Sequence, residues 1–154
     1  MFRNITGALG LIALASCGGA LGNVKSNNGQ MKVTIADDGL PTFDWKACTS
    51  FGLKNCAPDE FKVVGLGVNA LGCTDDGTQT GKRRPAWSIS VESDNKVRGV
   101  EPLTPPIHYG VLPKGAYEDL KARPITAGCK YIIFFNVQDG GTGTTITEDF
   151  VPGK

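Results

Sequence analysis

From residue 31 onward, short runs that alternate apolar and polar residues are separated by Gly, Pro, Asn or Asp. Such alternation is typical of strands with one buried face, and those four residue types are typical of turns. The clearest runs predict strands at residues 31–35, 61–68, 87–91, 107–111, 130–137 and 144–151. Asp-Gly pairs at 38–39, 76–77 and 139–140 predict tight turns, and one short helix is expected at 116–122. This pattern favours an all-β sandwich over a helical or α/β fold.

Alternation also assigns side chains to the two faces of a strand. Two runs are predicted to face the core, namely Trp87, Ile89 and Val91 in the first and Tyr131, Ile133, Phe135 and Val137 in the second. The aromatic residues expected in the core are Trp45, Trp87, Tyr109 and Phe135, with the Tyr109 hydroxyl nearer solvent. Ile132 and Phe134 fall on the opposite face. Either both sheet faces are covered or an apolar patch is exposed, which would indicate a protein partner.

The first sixteen residues have the three parts of a secretory signal. A basic residue, Arg3, precedes an uncharged apolar stretch, and small residues follow at Ala15 and Ser16. The apolar stretch is too short for a membrane span, which needs about 20 residues. A buried helix is the alternative, but such a helix should carry a polar face.

The residues Leu14-Ala15-Ser16-Cys17 resemble the lipobox of bacterial lipoproteins. The resemblance implies that a diacylglycerol is attached to the Cys17 thiol before the leader is cut, so that Cys17 becomes the first residue of the mature chain. Two acyl chains suffice for stable membrane anchoring. Gly18 stands where aspartate would signal retention in Gram-negative lipoproteins, which implies an outer-membrane anchor facing the periplasm. An ordinary signal cut near Ala15 is the alternative.

We therefore divide the chain into a signal peptide at 1–16, a lipidated flexible tether at 17–30 and a β-sandwich domain at 31–154. Removal of the first 16 of the 154 residues leaves 138, enough for one domain. Without Arg3, 15 basic residues balance 15 acidic ones. This neutral balance gives no electrostatic footprint for nucleic acid, so the lipid is the expected membrane contact.

Four further cysteines follow Cys17, and an even number in an exported chain indicates two disulfides. Three pairings are possible. We favour Cys48–Cys56, which closes a short polar loop, and Cys73–Cys129, which joins the end of an early strand to the start of a late one. A zinc site is disfavoured because the sequence has no CxxC pair and its one histidine is remote from all four.

The segment Ile125-Thr126-Ala127-Gly128-Cys129-Lys130-Tyr131 resembles the tyrosine corner of fibronectin type III and other immunoglobulin-like sandwiches. Ala127 departs from that pattern, in which proline is common. The resemblance implies an immunoglobulin-like sandwich in which the Tyr131 hydroxyl is buried and bonded to nearby backbone. It carries no implication for function.

No constellation of residues indicates catalysis. A serine or cysteine hydrolase would have to use His108, and no GxSxG elbow accompanies it. Residues 77–83 are one residue short of a phosphate loop, and Arg83 stands where Ser or Thr would hold magnesium. A glycosidase-type carboxylate pair stays open, because nothing singles two out. We expect no enzyme activity, no cofactor and no metal.

The favoured hypothesis is a non-enzymatic, membrane-anchored envelope lipoprotein whose β-sandwich contacts an envelope protein or polymer. The alternative is a periplasmic inhibitor or immunity-type lipoprotein that blocks a hydrolase or toxin with an inserted loop. Residues 77–85 and 102–106 are the candidate loops. A hydrolase that uses scattered carboxylates is the third hypothesis.

Overall fold

The computed structural model describes residues 24–26, 29–48, 56–73, 79–91, 101–139 and 142–153. Within them, nine strands and no helix are found. The strands are β1 (Val24–Ser26), β2 (Met31–Ile35), β3 (Pro41–Trp45), β4 (Val63–Cys73), β5 (Gln79–Val91), β6 (Ile107–His108), β7 (Ala116–Leu120), β8 (Lys130–Asp139) and β9 (Thr142–Phe150). The predicted all-β class is confirmed.

These strands form a large sheet of order β1-β9-β8-β4-β5-β7 and a small sheet of order β2-β3-β6. Neighbours pair antiparallel in both sheets, except that β1 runs parallel to β9 at one edge of the large sheet. Strand β1 falls within residues 17–30, so three residues of that segment pair with the large sheet.

Phe43 of the small sheet joins the two layers. Its ring is fully buried and lies 6.4 Å from Trp87, 6.4 Å from Phe135 and 6.1 Å from Phe150, all on the large sheet. A buried aromatic side chain of this kind stabilises a fold by about 1.5–3 kcal/mol. The contacts between the layers establish a β-sandwich with one aromatic core.

The face assignments of the two long runs are confirmed. Their core-facing residues are all at most 7% exposed, and they are Trp87, Ile89, Val91, Tyr131, Ile133, Phe135 and Val137. The four aromatic residues expected in the core, Trp45, Trp87, Tyr109 and Phe135, are also buried. The predicted turn at 38–39 has Gly39 at φ 79°, a left-handed conformation that glycine adopts readily. The turns at 76–77 and 139–140 fall wholly or partly outside the described residues.

The helix expected at residues 116–122 is wrong. Ala116–Leu120 is strand β7, which pairs with β5. Successive carboxylates of β7 bond on opposite faces of the sheet, since Glu118 accepts from the Trp87 indole N–H at 3.2 Å and Asp119 accepts from the Ser90 hydroxyl at 3.1 Å. Such alternation is typical of a strand. The pairing of β7 with the long strand β5 overrides the weak helix propensity of these residues.

The Tyr131 hydroxyl behaves as the tyrosine-corner resemblance implies. The side chain is 2% exposed, and its oxygen accepts a hydrogen bond from the Thr126 backbone N–H at 2.8 Å. Gly128 supplies a φ of 77° in the turn between them.

The expectation that the Tyr109 hydroxyl lies nearer solvent is wrong. It donates to the backbone oxygens of Ala86 and Arg123, at 3.0 and 2.8 Å. Strand β6 ends at His108, before Tyr109. The tyrosine then turns inward from the chain between β6 and β7, and its ring packs 5.2 Å from Trp87.

Candidate functional site

Both disulfides join the cysteines that we paired. Cys48 bonds to Cys56 with Cα atoms 5.4 Å apart, and Cys73 bonds to Cys129 with Cα atoms 6.0 Å apart. The second bridge connects the end of β4 to the residue before β8, which are neighbouring strands of the large sheet. These four cysteines are therefore structural and hold no zinc. Cys17, the predicted lipidation site, lies outside the described residues.

The other metal-ligating side chains of the described residues are scattered over the fold. In the described part of the chain, no group of three or more His, Cys, Asp or Glu residues is placed to hold a metal ion.

His108 lies at the exposed edge of the small sheet. Its Nδ1 atom is 2.9 Å from the Thr42 hydroxyl, opposite it on β3. This contact joins two neighbouring strands, which is a structural role that a surface histidine commonly fills.

The described parts of the two candidate inhibitory loops contact the body of the protein. Gln79 to Pro85 belong to strand β5 and pair with β4, so the interpretation of residues 77–85 as an exposed loop is wrong for that part. In the 102–106 segment, Leu103 is 3% exposed and its N–H donates to the Val63 oxygen at 2.8 Å. Residues 79–85 are therefore part of a strand, and Leu103 fixes the second segment to β4.

The outer face of the large sheet, opposite the core, carries the residues that could bind a partner. Ile132 and Phe134 lie there, half-buried, on β8. In the register of the sheet, Phe134 is opposite Gly67 of β4, and Gly67 is opposite Ser88 of β5. Because Gly67 has no side chain, the row is interrupted at its centre.

A groove of about 530 Å³ opens on this face, one row further along β4. We call it the outer groove. It is lined by Val64, Gly65, Ser90, Val91, Tyr117, Asp119 and Asn136. Four adjacent strands, β8, β4, β5 and β7, contribute these residues.

Hydrogen bonds fix the polar side chains on both walls of the outer groove. On one wall, Ser90 donates to Asp119 Oδ1 at 3.1 Å. On the other, Thr145 donates to Asn136 Oδ1 at 3.4 Å, and the Asn136 Nδ2 atom lies over Gly65, where an added Cβ would come within 3.1 Å of it. The Asn136 amide thus lies over Gly65 from β8, and Asp119 lies on the other side of this glycine, beyond Ser90 of β5.

Exposed apolar side chains in the described residues lie mostly elsewhere. They are Leu40, Val111, Leu112, Tyr117 and Val151, each 38–57% exposed. Tyr117, 50% exposed, is the member of this set that lines the outer groove.

Among the described residues, a surface ion pair between Lys46 and Asp59 has shifted pKa values. Hydrogen bonding to Asp59 at 3.0 Å raises the pKa of Lys46, and the same bond lowers the pKa of Asp59. Glu60 lies 3.5 Å from the same ammonium group. These groups flank the Cys48–Cys56 bridge, and Glu60 also accepts from the Ala57 N–H at 3.2 Å. Their arrangement serves to hold a turn.

Sequence patterns did not single out the outer groove. Alternation places Asn136 on the face of Phe134, and Ser88 and Ser90 on the face opposite Trp87. The neighbours of these residues come from the pairing of β4 with β5 and β8, which one sequence does not specify.

Comparison with known protein families, with curated proteins and with solved structures finds no match to this chain. Among the described residues, no helix is long and apolar enough to cross a membrane.

Proposed function

We propose that this chain is a lipid-anchored lipoprotein of the bacterial cell envelope, with a non-enzymatic β-sandwich that binds an envelope component. The observation that carries the proposal is the use of the cysteines. Two disulfides take four of the five, and the fifth is Cys17 of the lipobox-like sequence. Disulfides form and persist in exported proteins, and a leader with a lipobox directs a chain to that compartment.

The geometry of the described residues favours binding over catalysis. Perturbed pKa values tend to mark active sites, but those of the described residues belong to Lys46 and Asp59, an exposed pair that holds a turn. The His108 ring is hydrogen-bonded to the Thr42 hydroxyl of the neighbouring strand. The outer groove, in contrast, presents fixed polar groups and an exposed aromatic ring on a rigid sheet. Such a surface suits recognition.

We also propose that the sandwich is of the immunoglobulin-like type. In that type, strands A, B and E share one sheet and strands G, F, C and C′ share the other. The orders β2-β3-β6 and β9-β8-β4-β5 correspond to these two sets. The bond between Thr126 and Tyr131 supports the same assignment. Strand β7, which extends the large sheet beyond β5, and the disulfide within one sheet are departures from it.

The anchor is tested by Cys17→Ser. Without the thiol no diacylglycerol can be attached, so we expect unprocessed precursor or a soluble form. Membranes from cells that express the variant or the parent are washed with carbonate, and the protein is measured by immunoblot in pellet and supernatant. Ser16→Ala is the matched control, because it keeps a small residue beside an intact Cys17. If Cys17→Ser stays in the pellet as the parent does and is cut to the same length, the lipoprotein proposal is refuted.

A further inference from the structure

The floor of the outer groove is made of backbone. Gly65 lies in it, and Gly67, two residues along β4 on the same face, continues it toward Phe134 and Ser88. A Cβ added at Gly67 would meet only the Ser88 Cβ, at 3.9 Å, so the space above this glycine is open. Sheet faces are usually filled by cross-strand side-chain pairs. Past the Asn136 amide, which lies over Gly65, a strip without side chains over Gly67 therefore leaves room for a long, thin ligand.

The walls offer both kinds of hydrogen-bonding group. Asp119 is acceptor-only, and its two oxygens provide more lone pairs than the bond from Ser90 uses. Thr145 occupies the Asn136 oxygen, which directs the amide nitrogen, a donor, over Gly65. Hydroxyl groups both donate and accept. A ligand rich in hydroxyls would satisfy both walls at once.

Aromatic rings flank the strip. Tyr117, half exposed, stands beside Asp119 on β7, and Phe134, half-buried, borders Gly67 on β8. The apolar C–H face of a sugar ring packs on an aromatic ring, while the hydroxyls at its edge reach polar side chains. The combination of ring, carboxylate and amide beside an open strip is suited to a pyranose chain.

The charge of the groove narrows the class of ligand. Asp119 is the one acidic or basic side chain among the described residues that line it. A negative charge repels phosphates, nucleic acid and acidic polysaccharides. We propose that the outer groove binds a neutral polysaccharide chain of the envelope, which runs along β4 beside Asp119 and Asn136 and over Gly67. This inference deepens the proposed function by naming the envelope component.

The test uses the full chain purified in detergent. Binding is measured by isothermal titration calorimetry with neutral oligosaccharides of four to six units, made of N-acetylglucosamine, glucose or mannose, and with polygalacturonate as an anionic comparison. We expect saturable binding to at least one neutral oligomer and weaker binding to the anion. Gly67→Thr should weaken that binding by about tenfold or more, because its side chain fills the strip. Asp119→Ala should do the same by removal of the acceptor, since one bond to a charged group corresponds to about that factor.

Two controls separate loss of the site from loss of the fold. Gly143→Thr adds the same side chain to strand β9, where an added Cβ meets no atom within 4 Å, and Asp44→Asn removes an exposed carboxylate of the small sheet. Both should bind as the parent does. Tyr117→Phe should retain affinity, whereas Tyr117→Ala should lose it.

The inference is overturned if no neutral oligomer binds, if the anion binds more tightly, or if Gly67→Thr and Asp119→Ala bind as the controls do. Capture of a protein partner that Gly67→Thr abolishes, without any sugar binding, also overturns it. The membrane fractionation of Cys17→Ser is independent of these results. A lipoprotein without sugar binding would refute this inference alone, and sugar binding without an anchor would refute only the lipoprotein proposal.

Discussion

The Tyr131 hydroxyl is expected to contribute more to stability than the Tyr109 hydroxyl, although both are bonded. Tyr131→Phe keeps the ring, which stacks 5.4 Å from Phe150, and removes the oxygen to which the Thr126 N–H donates. Thr126 is partly buried, and loss of the acceptor of a shielded backbone N–H costs about 1–3 kcal/mol. We therefore expect Tyr131→Phe to lower the free energy of unfolding by an amount in that range.

Tyr109→Phe removes a donor from two carbonyl oxygens. The Ala86 oxygen keeps a partner, since it also accepts from the Arg123 N–H at 2.9 Å. The bond to the Arg123 oxygen is only part-buried, so we expect water to replace the lost donor there. The net loss should be that of one ordinary hydrogen bond, about 0.5–1.5 kcal/mol.

Urea denaturation of the oxidised protein, followed by tryptophan fluorescence, measures both losses against the parent. Tyr117→Phe is the control, because its half-exposed side chain should change stability by less than about 0.5 kcal/mol. The denaturant slopes should stay the same, because the surface exposed on unfolding is unchanged. A loss for Tyr131→Phe that is smaller than that for Tyr109→Phe would refute the assignment of the Thr126 bond as the stabilising contact of the corner.

Three further predictions follow from the disulfides, a surface ion pair and a turn glycine. Replacement of Cys73 and Cys129 by serine should lower the free energy of unfolding by about 4 kcal/mol, and replacement of Cys48 and Cys56 should lower it by about 2.5 kcal/mol. The loss differs because the entropy of loop closure grows with loop length, and the two bridges span 56 and 8 residues. Equal losses in calorimetry would contradict this order. In an NMR titration, the pKa of Asp59 should lie below its ordinary value of 3.8 and rise toward it in Lys46→Ala but not in Lys32→Ala. The small stabilisation by this pair should be fully present above the pKa of Asp59 in the unfolded chain, and it should be lost as the pH falls through the lowered pKa of Asp59 in the folded protein. At the alkaline end, it should be lost as the pH rises through the raised pKa of Lys46 in the folded protein. Gly128→Ala should lower stability by about 1 kcal/mol through its φ of 77° alone, whereas Gly143→Ala, also with open space but without positive φ, should be neutral or slightly stabilising in the same melts.

The sequence predicted the strands that bury one face and show a clear alternation of apolar and polar residues. Strands β2, β8 and β9 were located within one or two residues, because alternating runs bounded by turn residues fix both a strand and its core face. The favoured cysteine pairing was also correct, since a short loop and two predicted strand ends limited the reasonable partners.

The elements that were missed depend on their neighbours in the sheet. Strand β3 begins at Pro41, a residue that usually marks a turn, yet proline is tolerated as the first residue of a strand. Strand β7 has few β-branched residues and exists through its pairing with β5. The outer groove depends on three such pairings, so its residues are adjacent in the fold but come from four separate stretches of the sequence.

The pairing of β1 with β9 would set how far the domain can stand from the bilayer. With a lipid on Cys17, as proposed, seven peptide steps lead to Val24, a stretch that can extend at most about 25 Å. If β1 detached, the free length would run to Met31 and reach about 50 Å. The shorter length is maintained by three residue pairs between β1 and β9, from Val24 opposite Thr145 to Ser26 opposite Thr147. Under tension between membrane and ligand, this short parallel pairing would break first. Its release would double the largest distance that the sandwich can reach from the bilayer.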